Sequence, residues 1–148
     1  MLHRPRVLFI CVHNSARSQM CEALLKQYGG DRFDAQSAGL ERGEVNPLAV
    51  EVMAEIGIDI SHNKTKSVFE VWKRGEAFEY VVAVCDAESA EKCPIFPGVA
   101  KRLHWSFHDP SKVTGTYELK LQKVREIRDE IAAKIQDWLA SLAVEQPA

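Results

Sequence analysis

The sequence contains no apolar run of the roughly 20 residues that a membrane-spanning helix requires, and its longest apolar stretches have the length of strands. It also lacks an excess of basic residues, because 19 Lys and Arg stand against 21 Asp and Glu, for a net charge of −2. A general nucleic-acid-binding surface is therefore not expected. Internal repeats, low-complexity tracts and linkers are missing as well, so we expect the 148 residues to form a single domain, 1–148.

Cysteine is scarce, with four in the chain, and no two of them form a CxxC pair. The N-terminal apolar stretch is too short for a secretory signal and no small-residue cleavage site follows it, so a cytoplasmic protein is expected. In that reducing compartment structural disulfides are not expected, which leaves catalysis, redox exchange or metal binding. Zinc could be bound by Cys85, Cys93, His104 and His108. Without a CxxC pair, and with His104 in a strand-like stretch, we expect no metal site, and we interpret His104 and His108 as packing or surface residues.

Strand and helix signals alternate along the chain, which is typical of an α/β fold with helices on both faces of a parallel sheet. We expect a four-stranded parallel sheet of the flavodoxin-like kind. The longest helix has an apolar stripe that indicates packing of one face against the core. The predicted strands are 7–11, 33–38, 80–85 and 103–107, and the predicted helices are 18–28, 46–56, 67–73 and 117–142.

The first strand ends on Cys11, and a helix begins near Arg17, so a Cys-x5-Arg motif occupies a strand-to-helix junction. Loop N–H groups, the positive helix end and the guanidinium fork together suit a tetrahedral oxyanion. The same positive field stabilises a thiolate on Cys11. A buried strand cysteine followed by an ordinary loop is the simpler alternative, but the position of the motif favours function. The predicted oxyanion-binding loop comprises Val12, His13, Asn14, Ser15, Ala16, Arg17 and Ser18.

The first and third predicted strands both end on cysteine, Cys11 and Cys85. If these strands are neighbours, their backbones lie about 4.8 Å apart, within the range that a disulfide tolerates. Cys93 follows Cys85 through a short polar segment and can act as a resolving thiol. The alternative is that Cys85 is merely a small apolar residue at a strand end. Cys21, within the first helix, is expected to be a packing residue.

An acidic residue, Asp109, follows the fourth predicted strand and therefore lies at the carboxyl edge of the sheet. Ligands of open α/β sheets bind at that edge. Asp-Pro is also an ordinary turn signal. Beside Cys11 and Arg17, however, an aspartate in a loop stiffened by Pro110 is well suited to protonate a leaving oxygen.

Taken together, these residues resemble the low-molecular-weight protein tyrosine phosphatase fold and, within it, the thioredoxin-coupled arsenate reductases. The resemblance spans nearly the whole chain. The loop motif specifies only the superfamily, whereas Gln19 and the pair Cys85 and Cys93 point to the reductase branch. The other segments that carry the resemblance are CVHNSARSQM (11–20), SAG (37–39), VNP (45–47), IDIS (58–61) and KRLHWSFHDP (101–110).

The resemblance implies a mechanism. Cys11 attacks arsenate held by the loop and Arg17, while Asp109 protonates the departing oxygen. Cys85 then attacks Cys11 and arsenite leaves. Cys93 attacks Cys85, and the Cys85–Cys93 disulfide is presented to thioredoxin. Electrons travel by thiol exchange, so no organic cofactor is expected, and the partners are arsenate and thioredoxin, with the protein a monomer.

The resemblance also assigns residues around the loop. Ser18 hydrogen-bonds the Cys11 sulfur, and Asn14 braces the loop. Some relatives bind potassium beneath the loop through residues matching Asn14, Glu22 and Ser37, together with an acid at the position of Lys66 in this chain. The Lys66 ammonium is expected to occupy the place of the cation, so no potassium is predicted.

Two other functions remain open. A phosphatase acting on phosphotyrosine or a small phosphoester needs only Cys11, Arg17 and Asp109. Such enzymes usually carry aromatic residues just after the Asp-Pro loop, and here the nearest is Tyr117. A non-catalytic sensor could use the three thiols to bind arsenite, but it would leave Asp109 without a role.

Overall fold

The computed structural model describes residues 4–94, 96 and 101–145. Four strands and five helices alternate along it, with short 3-10 turns at Gly30–Arg32 and Pro110–Lys112. The strands are β1 (Arg6–Cys11), β2 (Asp34–Gly39), β3 (Tyr80–Ala83) and β4 (Lys101–His104). The helices are α1 (Arg17–Gly29), α2 (Pro47–Ala54), α3 (Val68–Lys73), α4 (Ala87–Ala90) and α5 (Tyr117–Glu145).

The strands form one parallel sheet in the order β2-β1-β3-β4. The predicted fold class is therefore confirmed, and β1 and β3 are neighbours as the cysteine argument required. Strand β1 supplies both halves of the core: Val7 and Phe9 enter one hydrophobic cluster, and Leu8 and Ile10 enter the other. Because successive side chains of a strand point to opposite faces, this nearly continuous apolar run is buried on both sides.

The larger hydrophobic cluster lies under α1, α2 and α5, and the smaller one lies under α3 on the other face. The predicted stripe of α5 is confirmed, since its apolar residues at helical spacing all join the larger cluster. Asn46 caps α2 by accepting a 2.8 Å hydrogen bond from the Leu48 N–H, and Pro47 occupies the first turn. No helix among the described residues is long and apolar enough to cross a membrane.

The predicted bounds of the fourth strand, 103–107, are wrong. Strand β4 runs from Lys101 to His104 and pairs with the whole of β3. It is the edge strand, so Lys101 and Arg102 stay exposed and do not form an apolar pattern. Just after β4 the Trp105 N–H still donates to the Ala83 carbonyl at 2.9 Å, and the Trp105 ring packs in the core against the ring of Phe9, 6.0 Å between centroids.

Smaller differences concern element ends. Strand β3 stops at Ala83 rather than at residue 85, although the Val84 N–H still donates to the Ile10 carbonyl at 2.8 Å. Strand β2 is displaced by one residue, and α2 ends two residues early. Beyond α2 the chain turns through Gly57, whose φ of +81° suits glycine.

Candidate active site

The loop between β1 and α1 curves around a pocket of about 140 Å³ at the carboxyl edge of the sheet. The carbonyls of this loop are bonded outward: Val12 accepts from the Glu41 N–H at 2.8 Å, and Ser15 accepts from the Asn46 N–H at 3.0 Å. Within the described chain, the N–H groups of residues 12–16 donate to no protein group. Amides left free in this way, next to a helix N-terminus, form an anion-binding site. The pocket is lined by Cys11, His13, Ser15, Arg17, Asp109 and Ser111, among others.

Cys11 ends β1 and is 3% exposed, with its sulfur 2.9 Å from the Ser18 hydroxyl oxygen. That hydroxyl also accepts a 2.8 Å hydrogen bond from the Asn14 amide nitrogen. Because the Asn14 N–H occupies one lone pair of the hydroxyl, the hydroxyl proton is free to point at the Cys11 sulfur. The geometry of Ser18 therefore matches the hydrogen bond to the Cys11 sulfur that the resemblance implied.

A buried amide network supports the loop from below. Asn14, in the left-handed region at φ +54°, accepts at its side-chain oxygen from the Lys66 N–H at 2.9 Å and from Gln19 Nε2 at 3.2 Å. Gln19 also donates to the Asn14 carbonyl and accepts from the Asn63 amide at 3.0 Å. The network fixes an unfavourable backbone conformation. It uses the backbone of Lys66; the role predicted for the Lys66 ammonium stays a prediction.

Arg17 is the first residue of α1 and is largely buried. Its guanidinium donates to the Phe107 carbonyl at 3.3 Å and lies 3.6 Å from an Asp109 carboxylate oxygen. The helix start and the loop after β4 therefore meet over the pocket. The structure brings the predicted acid, the predicted anion-binding arginine and Cys11 to one small space.

Asp109 is held by Ser111, whose N–H and hydroxyl both donate to one carboxylate oxygen, at 2.9 and 2.8 Å. Partial burial opposes ionisation of this carboxyl, but the two Ser111 bonds and the Arg17 charge outweigh it and lower the pKa of Asp109. The carboxylate is therefore ionised when the pocket is empty. A bound arsenate or phosphate dianion raises its proton affinity by like-charge repulsion, and the proton can arrive with the anion.

The remaining thiols lie beside Cys11. Cys85 is buried just beyond β3, and the thiols of Cys11 and Cys93 are both close enough to raise its pKa. Burial is the largest cause, and together these effects raise the pKa of Cys85 to about 11. Cys93 is also buried, and burial raises its pKa as well. Cys11, Cys85 and Cys93 are thus all free thiols that lie within electrostatic range of one another.

Cys21 lies in the same hydrophobic cluster as Cys11, and the Cys11 thiol is close enough to help raise the pKa of Cys21. It is fully buried in α1 within the larger hydrophobic cluster, and burial raises its pKa well above the ordinary value. Of the residues weighed for zinc, His108 is exposed, whereas the His104 ring nitrogen contacts the Cys85 carbonyl oxygen at 2.5 Å. In the described ranges, no group of three or more His, Cys, Asp or Glu side chains is arranged to hold a metal ion.

Comparison with known proteins adds the family to this geometry. The model of the low molecular weight phosphotyrosine protein phosphatase family matches residues 6–148. The chain belongs to this family. It is 42% identical over 132 residues to arsenate reductases of Shouchella clausii and Bacillus subtilis, covering 89% of this chain and 93% of each relative. Its fold matches a thioredoxin-dependent arsenate reductase of Corynebacterium glutamicum with a TM-score of 0.72 and 31% identity. That match covers 98% of this chain but 64% of the Corynebacterium chain.

Within this phosphatase-family fold, sequence reasoning missed three supporting residues. Gly39 packs so tightly on the loop that a Cβ would lie 2.5 Å from the Asn14 nitrogen. His104 was interpreted as a packing or surface residue, yet it contacts the backbone of Cys85. Asn63 completes the network under the loop. Only the SAG segment at 37–39 gave a signal, through the resemblance, because the other two contacts join residues distant in sequence.

Proposed function

We propose that this protein is an arsenate reductase that converts arsenate to arsenite with its own thiols and is regenerated by thioredoxin. The carrying observation is that Cys11 and Cys85 lie at the ends of the neighbouring strands β1 and β3, where the Val84 N–H still donates to the Ile10 carbonyl at 2.8 Å. The buried thiol of Cys93 is in turn close enough to Cys85 to perturb its ionisation. A phosphatase needs a single thiol, whereas reduction needs a thiol that delivers electrons to the first. The names of the relatives agree with this proposal.

The first step is attack of the Cys11 thiolate on arsenic. Arsenate sits among the free loop N–H groups and the Arg17 fork, and Asp109 passes a proton to the departing oxygen, which leaves as water. A Cys11–arsenic(V) bond forms and one arsenic–oxygen bond breaks. Arg17 must exchange its contact with Phe107 for the oxygens of the anion, and its planar fork suits two of them.

The second step reduces arsenic. The Cys85 sulfur attacks the Cys11 sulfur, a Cys11–Cys85 disulfide forms, and the sulfur–arsenic bond breaks with both electrons going to arsenic. The raised pKa of Cys85 means that it is protonated near neutral pH. Its proton goes to an oxygen of the departing arsenite, so no external base is required.

The third step transfers the disulfide from Cys11 and Cys85 to Cys85 and Cys93. Cys93 attacks Cys85, the Cys11–Cys85 bond breaks, and Cys11 leaves as the thiolate that Ser18 and the loop stabilise. Thioredoxin then reduces the Cys85–Cys93 disulfide. The two electrons pass through sulfur alone, so we propose an external reductant and no resident cofactor. We also propose that the protein acts as a monomer in the reducing conditions of the cytoplasm.

The test is arsenate-dependent oxidation of NADPH in the presence of thioredoxin and thioredoxin reductase, run beside glutaredoxin with glutathione. We expect turnover that requires arsenate and is faster with thioredoxin. Phosphate in place of arsenate is the matched control and must give no NADPH oxidation. If arsenate gave none either, while an aryl phosphate were hydrolysed, the reductase proposal would be overturned.

Phosphoester hydrolysis is the second candidate, favoured by the family and by the meeting of Cys11, Arg17 and Asp109. Its weakness is the pocket wall, where the described lining residues include no Phe, Tyr or Trp to grip a phenyl ring. Tyr117, the first aromatic residue after the Asp-Pro pair, is 54% exposed. We therefore expect phosphatase activity to be residual, and strongest on small phosphoesters.

A further inference from the structure

A second pocket, also of about 140 Å³, lies beside α4 near the carboxyl ends of β3 and β4. Cys93 lines this pocket together with Arg102 and His104. Nothing in the mechanism above uses Arg102. The pocket is the space next to the last thiol of the relay, so the side chains around it set the conditions under which that thiol reacts.

Arg102 reaches this pocket from the edge of the sheet. In β4 it pairs with Val81, and paired residues of parallel strands project to the same face. Val81 belongs to the smaller hydrophobic cluster, which also contains Cys93. The guanidinium of Arg102 therefore lies over the rim of the cluster that buries Cys93. In the described chain it enters no ion pair with a carboxylate, so its charge is not neutralised locally.

The other ionisable groups around Cys93 do not supply a permanent positive charge. The ends of β1 and β3 contribute the thiols of Cys11 and Cys85, and β4 contributes the His104 ring, which is engaged by the Cys85 carbonyl. Burial raises the pKa of Cys93, and the Arg102 charge acts in the opposite direction.

The two residues before Cys93 add no net charge next to its thiol. Its neighbours Glu91 and Lys92 are opposite in charge and both exposed to solvent. Among the described residues that line the pocket, Arg102 is the one whose charge is positive at every relevant pH.

We propose that Arg102 is a positioning residue for the final thiol exchange, where its guanidinium stabilises the Cys93 thiolate that attacks Cys85. The step balances within the protein. Cys93 loses its proton to solvent, the Cys85–Cys93 bond forms, the Cys11–Cys85 bond breaks, and Cys11 departs with the electron pair. The role in turnover rests on the proposed reductase function, but the effect of Arg102 on the Cys93 thiol does not.

The expected effect is moderate, because Arg102 is exposed and water screens its charge. Removing it should raise the pKa of Cys93 further and so reduce its thiolate fraction near neutral pH. A more basic thiolate is more nucleophilic, which recovers part of the lost rate. The net expectation is that Cys93 reacts about threefold more slowly below its pKa and no more slowly well above it.

The experiment measures alkylation of Cys93 in the reduced protein by iodoacetamide across pH 6.5–10.5, quantified on the Cys93 peptide by mass spectrometry. The variants are Arg102→Gln, which removes the charge, and Arg102→Lys, which keeps it. Lys101→Gln is the matched control, since it removes one charge from the adjacent position, which projects to the opposite face of the sheet. The limiting alkylation rate at high pH, where the thiol is ionised, reports how accessible Cys93 is. A change in accessibility is thereby distinguished from a change in ionisation.

We expect Arg102→Gln to shift the alkylation profile to higher pH, Arg102→Lys to restore most of it, and Lys101→Gln to leave it in place. In a single arsenate turnover, Arg102→Gln should accumulate the Cys11–Cys85 disulfide at pH 7 and clear it at pH 9. An unchanged alkylation profile in Arg102→Gln, or an equal shift in Lys101→Gln, would overturn the assignment. Failure of arsenate turnover in the parent would instead count against the proposed function and leave the alkylation result standing.

Discussion

Gly39 lies so close to Asn14 that a methyl group on Gly39 would sit 2.5 Å from the Asn14 backbone nitrogen. The same methyl group would lie 2.7 Å from the carbonyl carbon of His13. Both obstacles are backbone atoms, which cannot move aside as a flexible side chain can. The end of β2 therefore packs directly against the backbone of the oxyanion loop. A glycine is required at position 39 by this close approach and not by its φ, which does not lie in the left-handed region.

Gly39→Ala should displace the loop and weaken oxyanion binding. Overpacking of this kind costs about 1–3 kcal/mol. We expect at least tenfold weaker binding of phosphate or sulfate by calorimetry, together with a lower Tm. Gly57→Ala is the matched control: its φ of +81° makes alanine unfavourable, but no atom lies within 4 Å of the new methyl group. It should lower Tm and leave anion affinity unchanged. Equal anion affinity in both variants would contradict the conclusion that packing of Gly39 positions the oxyanion loop.

The nucleophile and its anion site can be tested by two conservative changes. Cys11→Ser should abolish arsenate reduction and any phosphatase activity, because a serine hydroxyl in this pocket is a far weaker nucleophile than a thiolate. Arg17→Lys should reduce the arsenate reduction rate severely, because one ammonium cannot donate to two oxygens of the anion as the planar guanidinium beside Asp109 can. Steady-state kinetics with arsenate measure both. Appreciable arsenite production by Cys11→Ser would show that Cys11 is not the nucleophile.

How far the site follows from the sequence depends on the separation of the interacting residues. The meeting of Cys11, Arg17 and Asp109 was predictable, because the carboxyl ends of parallel strands share one edge. The contact of His104 with the Cys85 carbonyl was not, because it depends on the register of β4 against β3. The bounds of β4 were mispredicted as 103–107, since an exposed edge strand that begins with two basic residues does not form an apolar pattern.

The loop shows a similar division. A glycine at position 39 was noted only as part of a motif, because a close backbone approach leaves no trace in composition or periodicity. Gln19 was noted only as a mark of the reductase branch, and its bonds to Asn14 and Asn63 emerge only when the chain between them is folded. Local pattern predicted the elements, whereas tertiary contact decided which polar side chains brace them.

The cation position beneath the loop gives a further test. The Glu22 carboxylate accepts from the Ser37 hydroxyl at 2.9 Å and pairs with Lys26 at 3.0 Å, and the Asn14 side-chain oxygen already has two N–H donors. Activity should therefore change little when potassium replaces sodium at constant ionic strength.

Lys66→Asp should introduce potassium activation by supplying the missing acid, and Lys64→Asp, at an exposed neighbouring position, should not. Initial rates in KCl and NaCl of equal ionic strength measure the response. A large, specific potassium activation of the parent would contradict the role assigned to Lys66.

Buried thiols should make the fold sensitive to alkali. Burial raises the pKa of Cys85 from the ordinary 9.0 to about 11 and raises that of Cys21 as well. The unfolded chain loses these protons first, so their contribution to stability is complete below about pH 9 and is lost as pH rises toward 11. Urea unfolding of Cys21→Ala should show lower stability at pH 7, from the cavity, but a shallower decline above pH 9 than the parent. Parallel declines would contradict the assignment.

The relay separates reduction from hydrolysis most clearly. Hydrolysis ends with water attacking the cysteine adduct and needs no second thiol, whereas reduction requires Cys85 to deliver electrons to Cys11. Cys85→Ser should therefore lose arsenate turnover and keep whatever phosphatase activity exists. Cys93→Ser should complete about one turnover and stall as a Cys11–Cys85 disulfide, since the thiol that resolves it is missing.

Mass spectrometry of non-reduced peptides identifies the stalled disulfide, and Cys21→Ser is the matched control. Cys21 is fully buried on α1, on the opposite side of β1 from the cluster that holds Cys93, so we expect it to take no part in the exchange. Its variant should turn over arsenate like the parent after allowance for lost stability. If Cys85→Ser and Cys93→Ser also matched the parent with thioredoxin, the relay would be wrong. If Cys21→Ser alone lost arsenate turnover, the electrons would have to pass through Cys21 on the α1 side of the sheet. That helix packs on β1 opposite the cluster that holds Cys93.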